Sequence, residues 1–200
     1  MNFRKLTVVA VFAVLFISLL ALPTFAKDAI REEDSPYSLI VGGAYVTDAN
    51  KADILGDGTA VFDSENYVLT LKNYVSEKFS SLTVDSQTGY KSFFSVFYPG
   101  EKDLTVKIEG NCHFMSAVRV DHGTIEVKDA TVTFSKKANA MFESEYGLLS
   151  VQNSEIIVDS LDYLAPLSED RKGKTRAISA ASIEILESRI VCDVKAPAVV

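Results

Sequence analysis

The second half of the chain repeats itself. Thr124-Ile125-Glu126-Val127-Lys128-Asp129-Ala130-Thr131-Val132-Thr133-Phe134 can be laid over Leu148-Leu149-Ser150-Val151-Gln152-Asn153-Ser154-Glu155-Ile156-Ile157-Val158. Both can be laid over Ser182-Ile183-Glu184-Ile185-Leu186-Glu187-Ser188-Arg189-Ile190-Val191-Cys192. In each window two alternating apolar residues precede a polar Asp129, Asn153 or Glu187, then a small Ala130, Ser154 or Ser188, then a second alternating stretch. Leu104 to Asn111 is a weaker copy, and Val68 to Asn73 is a candidate first one. A unit that cannot bury its apolar side alone must stack on a neighbour, so this recurrence points to an architecture built by stacking.

The spacing narrows the choice. Val127 to Val151 is 24 residues and Ile108 to Val127 is 19, room for two or three short strands and their corners but not for a strand plus a crossover helix. Stacked units bring like positions to about 4.8 Å from one another, so inward Val, Ile and Leu would form continuous columns. A right-handed parallel β-helix of about five short coils satisfies this. The alternative is a β-sandwich whose short strands alternate for ordinary reasons. Asp129, Asn153 and Glu187 fall at a corner, where a polar side chain can bond turn backbone. Val151 to Ile185 is 34 residues, which places an insertion at about 161–176.

Upstream, Ser38 to Thr47 reads as strand, Gly42-Gly43 turn and strand, because glycine takes the positive φ a tight hairpin requires. Thr59 to Phe62 and Tyr67 to Leu71 form a second strand pair, giving a two-hairpin cap. Before it, Met1 to Lys5 is basic, Leu6 to Leu22 is uncharged and apolar, and Pro23-Thr24-Phe25-Ala26 ends with small residues suited to cleavage. Residues 1–26 therefore read as a signal peptide, residues 27–36 as a disordered linker and residues 37–200 as a single domain. The protein is expected to be secreted or at the cell surface. An uncleaved N-terminal membrane anchor is the alternative reading, since the apolar run approaches bilayer-spanning length.

Twenty Lys+Arg against 27 Asp+Glu give a net charge of −7, and discarding Arg4 and Lys5 with the signal makes it more negative. Nucleic acid is not expected as a partner, because binding it depends on excess cationic charge against phosphate. With two histidines and two cysteines, and without GxSxG, HExxH or CxxC, no conventional catalytic or zinc motif is present. The expectation is a non-enzyme; a polysaccharide lyase, for which Arg119 and Arg189 are the available bases, is the third choice.

Leu39-Ile40-Val41-Gly42-Gly43 with Val46-Thr47, then Ala52-Asp53-Ile54-Leu55-Gly56-Asp57-Gly58-Thr59, then Phe62-Asp63 and Leu69-Thr70-Leu71-Lys72-Asn73, resembles the opening of secreted bacterial proteins labelled carbohydrate-binding domain-containing. Asp103-Leu104-Thr105-Val106 and Ala177-Ile178-Ser179-Ala180 are similar to phrases that recur later in that family, so the resemblance covers most of Ser38 to Asp193. It implies a β-helix related in shape to pectate lyases that binds acidic polysaccharide, in some members with calcium, and without established catalysis.

Candidate ligand contacts follow from residue chemistry. Exposed aromatic faces stack on sugar rings, which singles out Tyr90 and Tyr98 within the aromatic run Tyr90 to Tyr98; the competing reading is that alternation buries them. Arg171, Lys172, Lys174 and Arg176 in the insertion suit the carboxylates of a polyuronate, although charged loops are most often simply solvated. Asp53, Asp57 and Asp63, close to Asp48 and Asn50, offer hard oxygens to Ca²⁺, and ordinary turn bonding explains them equally well. Cys112 and Cys192 fall three coils apart, too far for a disulfide, so both are expected to be free, buried thiols. The last coil ends at Asp193 with only Val194 to Val200 after it, which predicts self-association through an open C-terminal edge.

Overall fold

Alternating β-branched and polar residues form strands throughout the computed structural model, which describes residues 35–76, 80–85, 90–135, 141–158 and 178–192. All of these belong to one of two units of the chain, Arg31–Val200, the other being Met1–Ile30. The expected export segment, the insertion at about 161–176 and the residues after Cys192 lie outside the described residues. No helix among the described residues is long and apolar enough to cross a membrane.

The protein is all-β. Among the described residues, thirteen strands make one mixed sheet: β1 (Ile40–Val41), β2 (Ala44–Tyr45), β3 (Ala60–Asp63), β4 (Val68–Lys72), β5 (Ser80–Asp85), β6 (Tyr90–Tyr98), β7 (Leu104–Phe114), β8 (Ala117–Val120), β9 (Gly123–Phe134), β10 (Phe142–Gln152), β11 (Glu155–Val158), β12 (Ile178–Leu186) and β13 (Arg189–Cys192). Two antiparallel hairpins open the chain, as the glycine and Asp/Asn turns lead one to expect. In the first, Ile40 faces Tyr45 and Val41 faces Ala44, with Gly42 and Gly43 both at positive φ. In the second, β3 pairs with β4. Two further antiparallel pairs, β1 with β6 and β5 with β6, were not evident from the sequence.

The remaining pairing is parallel and falls into three ladders. The first joins β4, β7, β9, β10 and β12, and within it Ile108, Val127, Val151 and Ile185 stand in one column. The second joins the later halves of β7 and β9 to β11 and β13, with Phe114, Phe134, Val158 and Cys192 in register. The third joins β6, β8 and the starts of β10 and β12, placing Val96, Val118, Phe142 and Ile178 together. The inward columns are dry: Leu104, Val106, Ile108, Ile125, Val127, Leu149 and Val151 are fully buried. Each such side chain contributes about 1.5–3 kcal/mol on burial, so stacking between windows, more than the preference of any single strand, holds the structure.

The corner between the first and second ladders explains the repeat's polar and small positions. Asn73, Asp129, Asn153 and Glu187 all take left-handed backbone, with φ of 51°, 49°, 47° and 49°. Asn and Asp tolerate this region better than other non-glycine residues. Their role is thus mainly to turn the chain, while their side chains bond along the stack: Asn153 Nδ2 donates to Asp129 Oδ1 at 2.6 Å, and Asn111 N donates to Asn73 Oδ1 at 3.0 Å. The following small residues carry a second chain of bonds. Ala130 N donates to Ser154 Oγ and Ser154 N to Ser188 Oγ, both at 3.1 Å. A larger residue at 154 or 188 would displace these contacts.

Among the described residues, the last strand of the first ladder, β12, pairs with β10 alone. Ile183 and Ile185 continue columns whose members in β10 are fully buried, yet they are 47% and 46% exposed, and Leu186 is 57% exposed.

Candidate functional site

The corner between the third and first ladders is built by glycine. Leu104, Gly123 and, one strand on, Gly147 occupy this turn, since Leu104 pairs with Gly123 and Thr124 with Leu148. A Cβ on Gly123 would collide with Leu104 backbone, and one on Gly147 with the Gly123 carbonyl oxygen. Backbone therefore passes backbone here at a separation that only glycine allows.

That close approach brings together the residues just before the glycines. The His122 and Tyr146 rings stack with centroids 4.8 Å apart and planes 24° from parallel. His122 holds one face of Tyr146. The next strand does not cover the other, because pairing jumps from Ser144–Ala180 to Leu148–Ser182, so Ala181 alone spans the stretch that holds Glu145, Tyr146 and Gly147 in β10. Tyr146 is accordingly 63% exposed.

Beside this ring lies a charged group. Arg119 Nε donates to Asp121 Oδ1 at 2.7 Å, while its terminal nitrogens stand 3.7 Å from Glu143 Oε2 and 3.8 Å from Glu145 Oε2. The guanidinium carbon lies 6.0 and 5.9 Å from the Phe94 and Phe97 ring centroids, which fixes it against an apolar support. Burial raises the Glu143 carboxyl above the ordinary carboxylate value, partly offset by Arg119. Hydrogen bonding to Glu145 and that residue's charge raise the Tyr146 hydroxyl. The corner thus presents a flat aromatic face with Glu145 at its edge, and Glu145 in turn belongs to a group in which it, Glu143 and Asp121 surround Arg119.

A groove of about 600 Å³ follows the left-handed corner; its lining includes Asp129, Asn153, Glu155, Glu187 and Arg189. Arg189 Nη1 bonds Glu155 Oε1 at 2.7 Å. The groove lacks an aromatic face.

The residues singled out from sequence are distributed differently. Tyr98 is 1% exposed and its hydroxyl donates to the Lys102 carbonyl at 2.6 Å; burial pushes its pKa up to about 12. It is a core residue, not a sugar platform, because it shares the inward side of β6 with Val96. Tyr90 opens β6 opposite Asp85, and its side chain lies outside the described residues, as do Arg171, Lys172, Lys174 and Arg176. Asp53, Asp57 and Asp63 do not converge. Asp53 Oδ1 accepts from Gly56, Asp57 and Gly58 N, Asp57 Oδ1 from Thr59 N and Oγ1, and Asp63 Oδ1 from Glu65 and Asn66 N. Each carboxylate caps its own turn, and no group of three or more His, Cys, Asp or Glu among the described residues is placed to hold a metal.

Cys112 is free and buried, and burial raises its thiol pKa. It pairs with Val132 in β9, whereas Cys192 pairs with Val158 in β11. Three strand spacings, about 14 Å, therefore separate two residues that a disulfide would need within about 7 Å. Iodoacetamide at neutral pH is expected to leave Cys112 unmodified in the folded protein and to alkylate it fully in urea, as read by peptide mass mapping. A disulfide-linked Cys112–Cys192 peptide would contradict the register.

One signal for the Tyr146 corner was present in the sequence: Asp121-His122-Gly123 and Glu145-Tyr146-Gly147 repeat acid, aromatic ring and glycine at the same 24-residue offset. It sits immediately before the windows that define the repeat. Comparison of the chain with models of protein families, with curated proteins and with solved structures gives no match in any of the three.

Proposed function

We propose that this chain is a right-handed parallel β-helix of about five short coils that acts, without catalysis, as an extracellular carbohydrate-binding or adhesive module, exported by residues 1–26. Three parallel ladders joined by recurrent corners support the architecture, and parallel crossovers are right-handed in about 98% of cases. The observation that carries the binding reading is the Tyr146 ring, backed by His122 and open on its far side. An aromatic ring held flat at low entropic cost, with carboxylates at its edge, matches the apolar face and the hydroxyl rim of a sugar.

A glycan array probed with the full exported chain tests this reading. Tyr146→Ala is expected to weaken the strongest signal about tenfold, with the folded state unchanged because the residue is exposed. Retention of full binding by that variant would move the site elsewhere, and a blank array would remove the sugar reading.

A second reading, an interaction protein that associates through its last strand, is favoured by the exposed Ile183, Ile185 and Leu186 on β12. Sedimentation at high concentration separates it: a strictly monomeric species counts against it.

A further inference from the structure

The charge at the Tyr146 corner is unbalanced in a way that selects among sugars. Among the described residues, Asp121, Glu143 and Glu145 surround one cation, Arg119, and of the three only Asp121 is within hydrogen-bonding distance of it. At 3.7 and 3.8 Å, Glu143 and Glu145 feel the guanidinium's charge without being hydrogen-bonded to it; Glu145 accepts from the Tyr146 hydroxyl and, as a carboxylate, keeps lone pairs for a second donor. The Glu145 side chain is 56% exposed and open to an incoming group, while that of Glu143, 33% exposed, is the more enclosed of the two. Arg119 cannot readily turn to serve them, being held by Asp121 and by the Phe94 and Phe97 rings.

A polyuronate would bring carboxylates to a site that already holds an excess of them. An ammonium group would do the reverse: it is a compact cation with three donors, able to bond Glu145 and Glu143 while the ring that carries it lies on Tyr146. Glu145 is hydrogen-bonded to the Tyr146 hydroxyl, so its carboxylate lies at the edge of the ring, where a substituent of a stacked sugar can meet it. Resting on the sugar-binding reading above, we propose that this corner selects a glycan bearing a free amino group, of the glucosamine type, over its N-acetylated or uronic-acid counterparts. Tyr146 supplies the stacking face, and Glu145 with Glu143 supplies the specificity.

Calorimetric titration of the full chain with hexamers of glucosamine, of N-acetylglucosamine and of galacturonate tests the assignment. The glucosamine hexamer is expected to bind about tenfold more tightly than the acetylated one, the value of one charge-assisted hydrogen bond, with galacturonate weakest. Glu145→Gln should remove that preference, lowering affinity for glucosamine and leaving the acetylated hexamer unchanged, whereas Tyr146→Ala should weaken both. Glu126→Gln, on the outer side of the first ladder, makes the same change in net charge and should leave the preference intact.

Equal binding of the free and acetylated hexamers, tighter binding of galacturonate, or equal loss in Glu126→Gln and Glu145→Gln would overturn the amino-sugar assignment while leaving the sugar-binding reading standing. Failure of all three hexamers together with a blank glycan array would overturn both.

Discussion

Replacing Gly147 by alanine is expected to destabilise the protein by about 3 kcal/mol, the upper range for forced overpacking and backbone strain. The added methyl would meet the Gly123 carbonyl oxygen, an atom fixed in the neighbouring strand, and Ser144 Oγ, within a strand whose side chains are already close-packed. Rigid backbone gives way only if the stack opens locally, which would also pull Tyr146 from His122. Gly56→Ala is the control: φ there is +79°, but nothing lies within 4 Å of the new atom, so only conformational strain of about 1–2 kcal/mol remains. Urea denaturation of both variants measures the difference. If Gly147→Ala costs no more than Gly56→Ala, the backbones do not pass as closely as described and the Tyr146 corner loses its structural basis.

The second large effect concerns the aromatic stack of the interior. Phe114 is fully buried. Its ring lies 5.4 Å from Phe134 at 26° and 5.3 Å from Tyr74 at 37°, and Phe134 meets Phe142 edge-on at 5.2 Å. Phe114→Ala leaves a cavity among neighbours held on separate segments, Tyr74 after β4 and Phe134 in β9, which cannot readily collapse into it, so a loss of about 3–5 kcal/mol is expected. The exposed Tyr146→Ala should stay within about 0.5 kcal/mol of the native protein in the same assay. A loss below about 1 kcal/mol for Phe114→Ala would mean that the second ladder does not hold Phe114 and Phe134 in register.

Much of the stacking was legible in the residues. Val127, Val151 and Ile185 share a column because a period-two pattern repeated at fixed offsets can bury all its copies only by placing them in line. Asp129, Asn153 and Glu187 were recognisable as a corner, although their left-handed backbone was not: Glu187 belongs to a residue type that rarely adopts it, and its stacked neighbours impose the conformation.

The aromatic assignments went astray for a different reason. Between Phe94 and Val96 the pairing with β8 shifts, so that these residues face the neighbouring partners Ala117 and Val118 and fall on opposite sides of the strand. Phe94 consequently packs with Phe97 and Ala117 outside the main interior, while Val96 and Tyr98 point into it. Simple alternation places Phe94 and Tyr98 on the same side, and a bulge of this kind leaves no mark in hydrophobic pattern.

The sequence by itself determined that the chain is all-β, that its windows stack with like residues aligned, and that its early glycines form hairpin turns, since these depend on local backbone preference and on the period of apolar residues. Only the tertiary structure decided that Tyr98 is interior, that Asp53, Asp57 and Asp63 each serve their own turn, and that His122, Tyr146, Arg119, Glu143 and Glu145 meet at one corner. Those outcomes depend on which backbones approach closely enough to exclude a Cβ and on where one strand offers a single residue against its neighbour's three, relations between strands that no single stretch of sequence encodes.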